Sequence, residues 1–183
     1  MNHRTTAELE AGLEEIRRSP PDEGLLHLIV RRPRVGEREV MDEAELDAVA
    51  GLVGDTWNVR KSSRTADGSP HPDMQLNLMN ARTVALIAGE KSRWPLAGDQ
   101  LYVDLDLSEA NLPAGTRLAL GSAIIEVTAQ PHAGCAKFKD RFGPDALAFV
   151  NSPIGKELHL RGINAKVVQS GRIRPGDVVR KLR

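Results

Sequence analysis

The chain has 183 residues, with 25 Lys and Arg against 25 Asp and Glu, a formal net charge of zero. That length fits one domain, with or without a small extension, and buries roughly 70% of its unfolded surface without needing staples. Zero net charge excludes a general nucleic-acid or anionic-membrane binder but leaves room for a local basic pocket. A single cysteine excludes an intrachain disulfide and an all-cysteine metal site. No apolar run reaches the roughly 18–20 residues of a membrane helix, and acids stand where a signal peptide would be apolar. The expectation is a cytoplasmic protein with no nucleic-acid or membrane partner.

Residues 5–18 read as a helix. Thr5 and Glu8 have capping-box spacing, and Leu9, Leu13 and Ile16 form one apolar stripe. Ser19-Pro20-Pro21-Asp22 ends it. Residues 1–24 are therefore an N-terminal helical extension and linker. The stripe must dock on the main domain or on another copy.

From Leu25 the texture becomes strand-like. Strands are expected over Leu25–Val30, Met74–Met79, Leu101–Leu107, Arg117–Leu120, Ala123–Thr128, Ala165–Gln169 and Asp177–Arg180. Gly121-Ser122 reads as a hairpin turn. Short helices are expected over Asp42–Val49, Asn80–Ala88 and Pro144–Val150, each on a capping or first-turn signal. Many short strands and few helices predict a mostly β (α+β) fold, a closed or partly open barrel over residues 25–183.

Gly-rich dinucleotide, phosphate-loop, His-Glu-x-x-His and Gly-x-Ser-x-Gly signatures are missing. The densest polar segment is Gln130–Phe142, with Cys135 among His132, Lys137, Lys139 and Arg141. Cations stabilise a thiolate, which is both nucleophile and soft-metal ligand. The competing reading is a small buried hydrophobe, the commoner fate of a free cysteine. His132 and Cys135 have a zinc-like spacing, but no second pair completes it. A second polar segment, Asn58–Asp73, carries Arg60, Lys61, Arg64 and His71 and reads either as an anion-binding lid or as a solvated loop. Asn111, beside Pro113 and Gly115, either binds a ligand through its amide or satisfies its own turn.

The ordered features are Gly51-Leu52-Val53-Gly54-Asp55, then a polar loop, then Asn111-Leu112 and Gly115-Thr116-Arg117-Leu118. Gly121, Glu126-Val127-Thr128, Cys135, Gly171 and Gly176-Asp177-Val178-Val179 follow. Together they resemble a MOSC domain, of the stand-alone bacterial type, over roughly residues 25–181. The resemblance implies a β-barrel and an association with molybdenum cofactor (molybdopterin), and at family level with pyridoxal phosphate. It implies that Cys135 ligates molybdenum or carries sulfur. His132, Lys137, Arg141, Asn111, Arg60, Arg64 and His71 are then candidate cofactor-binding residues, with the arginines suited to a phosphate. It also implies a small-molecule substrate and reduction of N-hydroxylated or N-oxidised compounds with a separate reductase. The alternatives are a persulfide carrier fed by a sulfur donor and a non-catalytic binding module; oligomeric state stays open. The chain departs from the family pattern at Gly134 in place of proline, Glu109-Ala110 before Asn111-Leu112, His71-Pro72-Asp73, and Ile163-Asn164 after Gly162.

Overall fold

The computed structural model describes residues 3–182, so Met1, Asn2 and Arg183, at the outer ends of the two expected segments, lie outside the described residues. The chain opens with α1 (Thr6–Ala11) and α2 (Leu13–Arg17). Thr5 and Glu8 do form the capping box, and the expected single helix breaks at Gly12. Gly12 packs close on Leu86, where an added Cβ would sit 2.5 Å from the side chain.

The strands β1 (Glu23–Arg31), β2 (Glu39–Met41), β3 (Ala44–Asp47) and β4 (Gly51–Leu52) follow. The helix expected over Asp42–Val49 is instead β3, with its turn. Ala44 and Leu46 are buried while Glu45 is exposed, a period of two. Pairing with neighbouring strands overrides the local cap signal. Next come β5 (Leu76–Asn80), α3 (Ala81–Ala88) and β6 (Leu101–Asp104). Asn80 caps α3 by accepting from Arg82 N and Thr83 N, and Gly89 ends it, as the residue types predict. Met74 lies in a 3-10 turn rather than in β5.

The hairpin β7 (Arg117–Leu120) and β8 (Ala123–Val127) turns at Gly121 with φ of 55°, where a Cβ would meet Arg172 O at 2.1 Å. The segment expected as loop after Cys135 is largely helical: α4 runs Ala136–Asn151. It is kinked at Gly143 (φ 91°), and Pro144 restarts it in a first turn, so the expected Pro144–Val150 helix is its second half. After α5 (Pro153–Glu157), the strands β9 (Ile163–Gln169), β10 (Gly171–Ile173) and β11 (Val178–Lys181) complete the fold.

Seven strands close on themselves in the order β1-β6-β5-β9-β8-β7-β11, with β11 pairing back to β1. β2 adds to β1 outside the ring, and β10-β3-β4 make a separate small sheet. Only β5 and β6 pair in parallel, joined by α3, because parallel strands need a crossover. Closure leaves the ring without an unpaired edge.

Alternation along the strands builds two cores. Leu26, Leu76, Leu78, Val103, Leu118, Ile125 and Ala165 fill one cluster. Val30, Met79 and Tyr102, on the other faces, join Leu9, Ile16, Val84, Phe138 and Phe142 in a second cluster beneath the helices. A bulge in β1 between Leu26 and Leu28 shifts the parity, so Ile29 joins Leu26 while Leu28 joins the helix side. The N-terminal stripe thus docks on the chain's own body. No helix among the described residues is long and apolar enough to cross a membrane.

Candidate functional site

The site is built around residues 128–135, a strap without regular structure that links β8 to α4. Thr128 anchors the strap's start, donating from N to Asn164 O and from Oγ1 to Asp73 O, and further ties hold the rest of it. Asn164 Nδ2 donates to Gln130 O at 3.0 Å. His132 Nε2 lies 2.8 Å from Asp99 Oδ1. The Asn151 amide holds both sides of Gly134, accepting from its N–H at 2.9 Å and donating to its carbonyl at 3.2 Å. Gly134 lets the strap lie close on α4, since a Cβ would come within 2.8 Å of Leu147 Cδ1 and 2.9 Å of Val150 Cγ2 and those side chains would have to shift. The strap delivers Cys135 as the residue preceding α4, with its thiol exposed. Of the two readings of this cysteine, the buried hydrophobe is overturned.

Cys135 opens on a cavity of about 280 Å³. Its walls come from the end of β1, the 33–38 turn, the Asn58–Asp73 loop, the strap and the start of α4. Arg32, Arg34, Arg38, Arg60, Lys137, Arg141 and Arg161 line it, and no Asp or Glu does. The chain is neutral as a whole, so its charge is segregated, and this face carries cations without their counter-charges.

Three of the seven are neutralised from behind. Arg32, buried, donates twice to Asp55 at 2.8 Å, and also to Asn77 Oδ1 and Gly98 O. Arg161 Nη1 bridges both oxygens of Asp99 at 2.7 and 2.9 Å. Arg34 pairs with Glu37 on the surface. Arg38, Arg60, Lys137 and Arg141 make no ion pair among the described residues. Arg141 Nη1 is steered by the Leu96 carbonyl at 2.6 Å. Among the described residues, Arg38 Nε is buried with no hydrogen-bond partner, as is Arg161 Nε. Burial, and then the nearby Arg141 and Arg32, hold the Arg38 guanidinium below its ordinary range. A half-buried cation beside like charges lacks an anion.

The floor is a polar network. Asn77 joins Arg32 to Asn164 (Asn77 Nδ2 to Asn164 Oδ1, 2.6 Å), and Asn164 reaches the strap. Burial raises the Asp99 carboxyl, but Arg161 and His132 outweigh it and bring it down to about 2. Burial, then Arg161, hold the His132 imidazole below its ordinary range despite Asp99. Being neutral, His132 carries its proton on Nε2 toward the carboxylate and keeps Nδ1 as an acceptor.

The Asn58–Asp73 loop is largely exposed, Arg60, Lys61 and Arg64 included, and it reaches the Cys135 cavity through Arg60. Arg60 lines the cavity with the thiol, and Arg64 Nη1 donates to Gln130 Oε1 of the strap at 3.3 Å. Lys61, Arg64 and His71 line a second cavity of about 230 Å³ that shares Arg32, Arg60, Met74 and Asn77 with the first. His71 Nδ1 accepts from Asp73 N and so caps the start of the 3-10 turn Pro72–Met74. Asn111 is the sequence candidate that the fold keeps elsewhere. Its amide donates to Pro21 O and Asp106 O and accepts from Lys181 Nζ, so it ties a turn together and lines neither basic cavity. Among the described residues no group of three or more His, Cys, Asp or Glu converges as a metal cage.

Sequence reasoning missed Arg32, Arg34, Arg38, Arg161 and the buried acids Asp55 and Asp99. A signal for the first three was present: four arginines stand within Arg31–Arg38, directly after an apolar strand. On the other side of the strap lies a larger cavity of about 410 Å³, lined by Leu112, Pro113, Val127, Val150 and Ile163, with Lys156 and His159. His132 and Ala133 border both it and the Cys135 cavity.

Among solved structures, the fold is similar to that of the YuaD protein from Bacillus subtilis, with a TM-score of 0.64 at 19% identity over 88% of this chain and 97% of that one. It is also similar to YiiM from Escherichia coli, with a TM-score of 0.56 at 22% identity over 87% and 70% of the two chains. YiiM from Geobacillus stearothermophilus gives 0.52 at 16% identity over 87% and 73%. No curated protein sequence matches the chain. The MOSC domain family model matches residues 67–180, which include the strap, Cys135 and most of the barrel. With that match over more than half its length and a barrel like those of YuaD and YiiM, this chain belongs to the MOSC domain family.

Proposed function

We propose that this protein binds molybdenum cofactor, with Cys135 as the sulfur ligand of the metal, and reduces N-hydroxylated or N-oxidised small molecules. The observation that carries the reading is the exposed thiol opening on a cavity lined by seven cationic side chains and no acid. A pterin with a phosphate and a metal–sulfur centre needs those two things side by side, a soft ligand and a phosphate cradle. Arg38, Arg60, Lys137 and Arg141, which lack carboxylate partners, are the residues for the phosphate. The partnerless Arg38 Nε is a donor of that kind. When bound, the cofactor supplies two-electron redox chemistry at the metal.

The protein's own contribution is positioning. The clamped strap fixes Cys135, and Asp99 orients His132 beside it, while burial and Arg161 keep the imidazole neutral. The apolar cavity across the strap suits the body of an organic substrate, as such pockets are mostly apolar with a few placed polar groups. Reduction of an N–OH group to N–H consumes two electrons and two protons and releases water, so a separate reductase must supply the electrons.

The test is elemental analysis of protein from a cofactor-replete host, with Cys135→Ser prepared in parallel. Near-stoichiometric molybdenum in the wild type, lost in the variant, is expected. Metal in neither protein overturns the reading. Exposure of the thiol favours one second reading, a persulfide carrier, because a sulfur donor must reach the sulfur it loads. Mass spectrometry after treatment with a desulfurase and cysteine then shows about one added sulfur on Cys135.

A further inference from the structure

The basic site has two lobes, and a single phosphate accounts for only one. The first lobe holds Cys135 with Arg38, Lys137 and Arg141. The second holds Lys61, Ser63 and Arg64 with Trp57 and His71, and it too lacks any Asp or Glu. Arg32, Arg60, Met74 and Asn77 belong to both, so the lobes are continuous. Arg60, at the junction, makes no ion pair among the described residues. Lys61 makes none either, and Arg64 spends only one N–H, on the neutral Gln130 amide. Trp57 has committed its indole N–H to the His71 carbonyl at 3.2 Å, so what it adds to the lobe is carbon surface.

A chain of zero net charge that concentrates uncompensated cations in two joined, acid-free lobes is arranged for an anion longer than one phosphate. Carboxylates placed among these cations would neutralise them at little structural cost, as Asp55 and Asp99 do for Arg32 and Arg161. We infer that the ligand of this site is an organic diphosphate of the nucleotide-ester class. One phosphate lies among Arg38, Lys137 and Arg141, the second between Arg60 and Lys61, and its ring lies against Trp57 and Met74. This deepens the cofactor reading above and rests on it for the first lobe. Guanidinium and ammonium groups at fixed spacing discriminate one phosphate from two, because the second lobe contributes only when the anion reaches it.

Calorimetric titration of the full chain at fixed ionic strength, with orthophosphate, pyrophosphate and ADP as probes, tests this. Pyrophosphate and ADP should bind at least about tenfold more tightly than orthophosphate, the worth of one or two added charged hydrogen bonds. Lys61→Ala with Arg64→Ala should remove that advantage while leaving orthophosphate within about twofold, as separated contacts add independently. Equal affinities for orthophosphate and pyrophosphate, or a double variant that weakens both alike, overturn the inference. Molybdenum absent from protein that still prefers pyrophosphate would sink the cofactor reading alone. Molybdenum present in protein with no such preference would sink the two-lobe inference alone.

Discussion

His132 Nε2 lies 2.8 Å from Asp99 Oδ1, and Arg161 Nη1 bridges both oxygens of the same, fully buried carboxylate. One negative charge thus answers one permanent positive charge, and the imidazole is the neutral third member. Protonating His132 would put an unanswered cation beside Arg161 and Arg32. His132 borders both the Cys135 cavity and the apolar one, and Arg161 lines the first, so the charge on the imidazole is met from both cavities.

Replacing Asp99 tests how much of the fold rests on this arrangement. Asp99→Asn keeps the shape but leaves Arg161 buried without its counter-charge. Breaking a buried pair this way costs about 3–5 kcal/mol. Urea denaturation of Asp99→Asn against wild type measures it. A loss under about 1 kcal/mol would show that water or another group answers Arg161.

The same triad dictates how stability follows pH. His132 has a folded pKa below its ordinary 6.5. As pH falls below that value, the unfolded chain takes up the proton before the folded chain does, and stability is lost. Asp99 has a folded pKa lowered from 3.8 to about 2. Its stabilisation is present above its unfolded pKa and is lost as pH falls from about 4 to about 2. Both effects have one sign, so stability is greatest above pH 6.5 and declines in two stages. Urea midpoints at pH 7.5, 5.5 and 3 should fall in that order, and His132→Asn should abolish the first decline. A midpoint that rises between pH 7.5 and 5.5 would reverse the argument.

The N-terminal helices are part of the packed body. Leu9 is fully buried, within a cluster that includes Phe138 and Phe142, and Thr6 N donates to Asp145 Oδ2 of α4 at 2.9 Å. Leu9→Ala should therefore cost about 2–5 kcal/mol, as for other buried leucines. Thermal or urea unfolding reads it directly. A change near zero would mean that the stripe contributes nothing to the isolated chain and awaits another surface.

Elements whose signals are local were legible in the sequence. The Thr5–Glu8 capping box, the Asn80 cap with the Gly89 stop, and the Gly121-Ser122 hairpin all reside in a few consecutive residues. The β3 segment was not, because Asp42 and Glu45 mimic a helix start while Leu46 pairs with Leu52 across a short turn and with Gly171 from far along the chain. Residues 130–142 pointed to the site because Lys137, Lys139 and Arg141 follow closely on the one cysteine, and residues 58–73 because a long polar loop carries Arg60, Lys61 and Arg64. The mutual approach of those two segments through Arg64 and Gln130 is a tertiary fact that spacing cannot carry. Asp99 and Arg161 were invisible for the same reason: 62 residues apart, each reads alone as an ordinary surface charge. Asn111 attracted attention by its residue type, but its amide was already spent on the backbone of Pro21 and Asp106.

The electrostatic character of the Cys135 cavity can be read from the thiol itself. Cys135 is exposed, so it should react to about one equivalent in native protein without denaturant. Its surroundings should then select among reagents by charge. A dianionic aromatic disulfide is drawn into a cavity lined by Arg38, Arg60, Lys137 and Arg141, whereas neutral iodoacetamide is not. Such focusing raises the rate with the anionic reagent by about tenfold or more, and it fades with ionic strength as the screening length falls from about 10 Å at 0.1 M to about 3 Å at 1 M salt. Lys137→Ala with Arg141→Ala should cut the anionic rate and its salt dependence together while leaving the neutral rate nearly unchanged. Comparing the two reagents separates this from a change in the thiol's own reactivity, because the same thiolate attacks both. Anionic and neutral reagents that respond alike to salt and to the substitutions would mean that the cations beside Cys135 do not act on what approaches it, and the anion cradle would have to be abandoned.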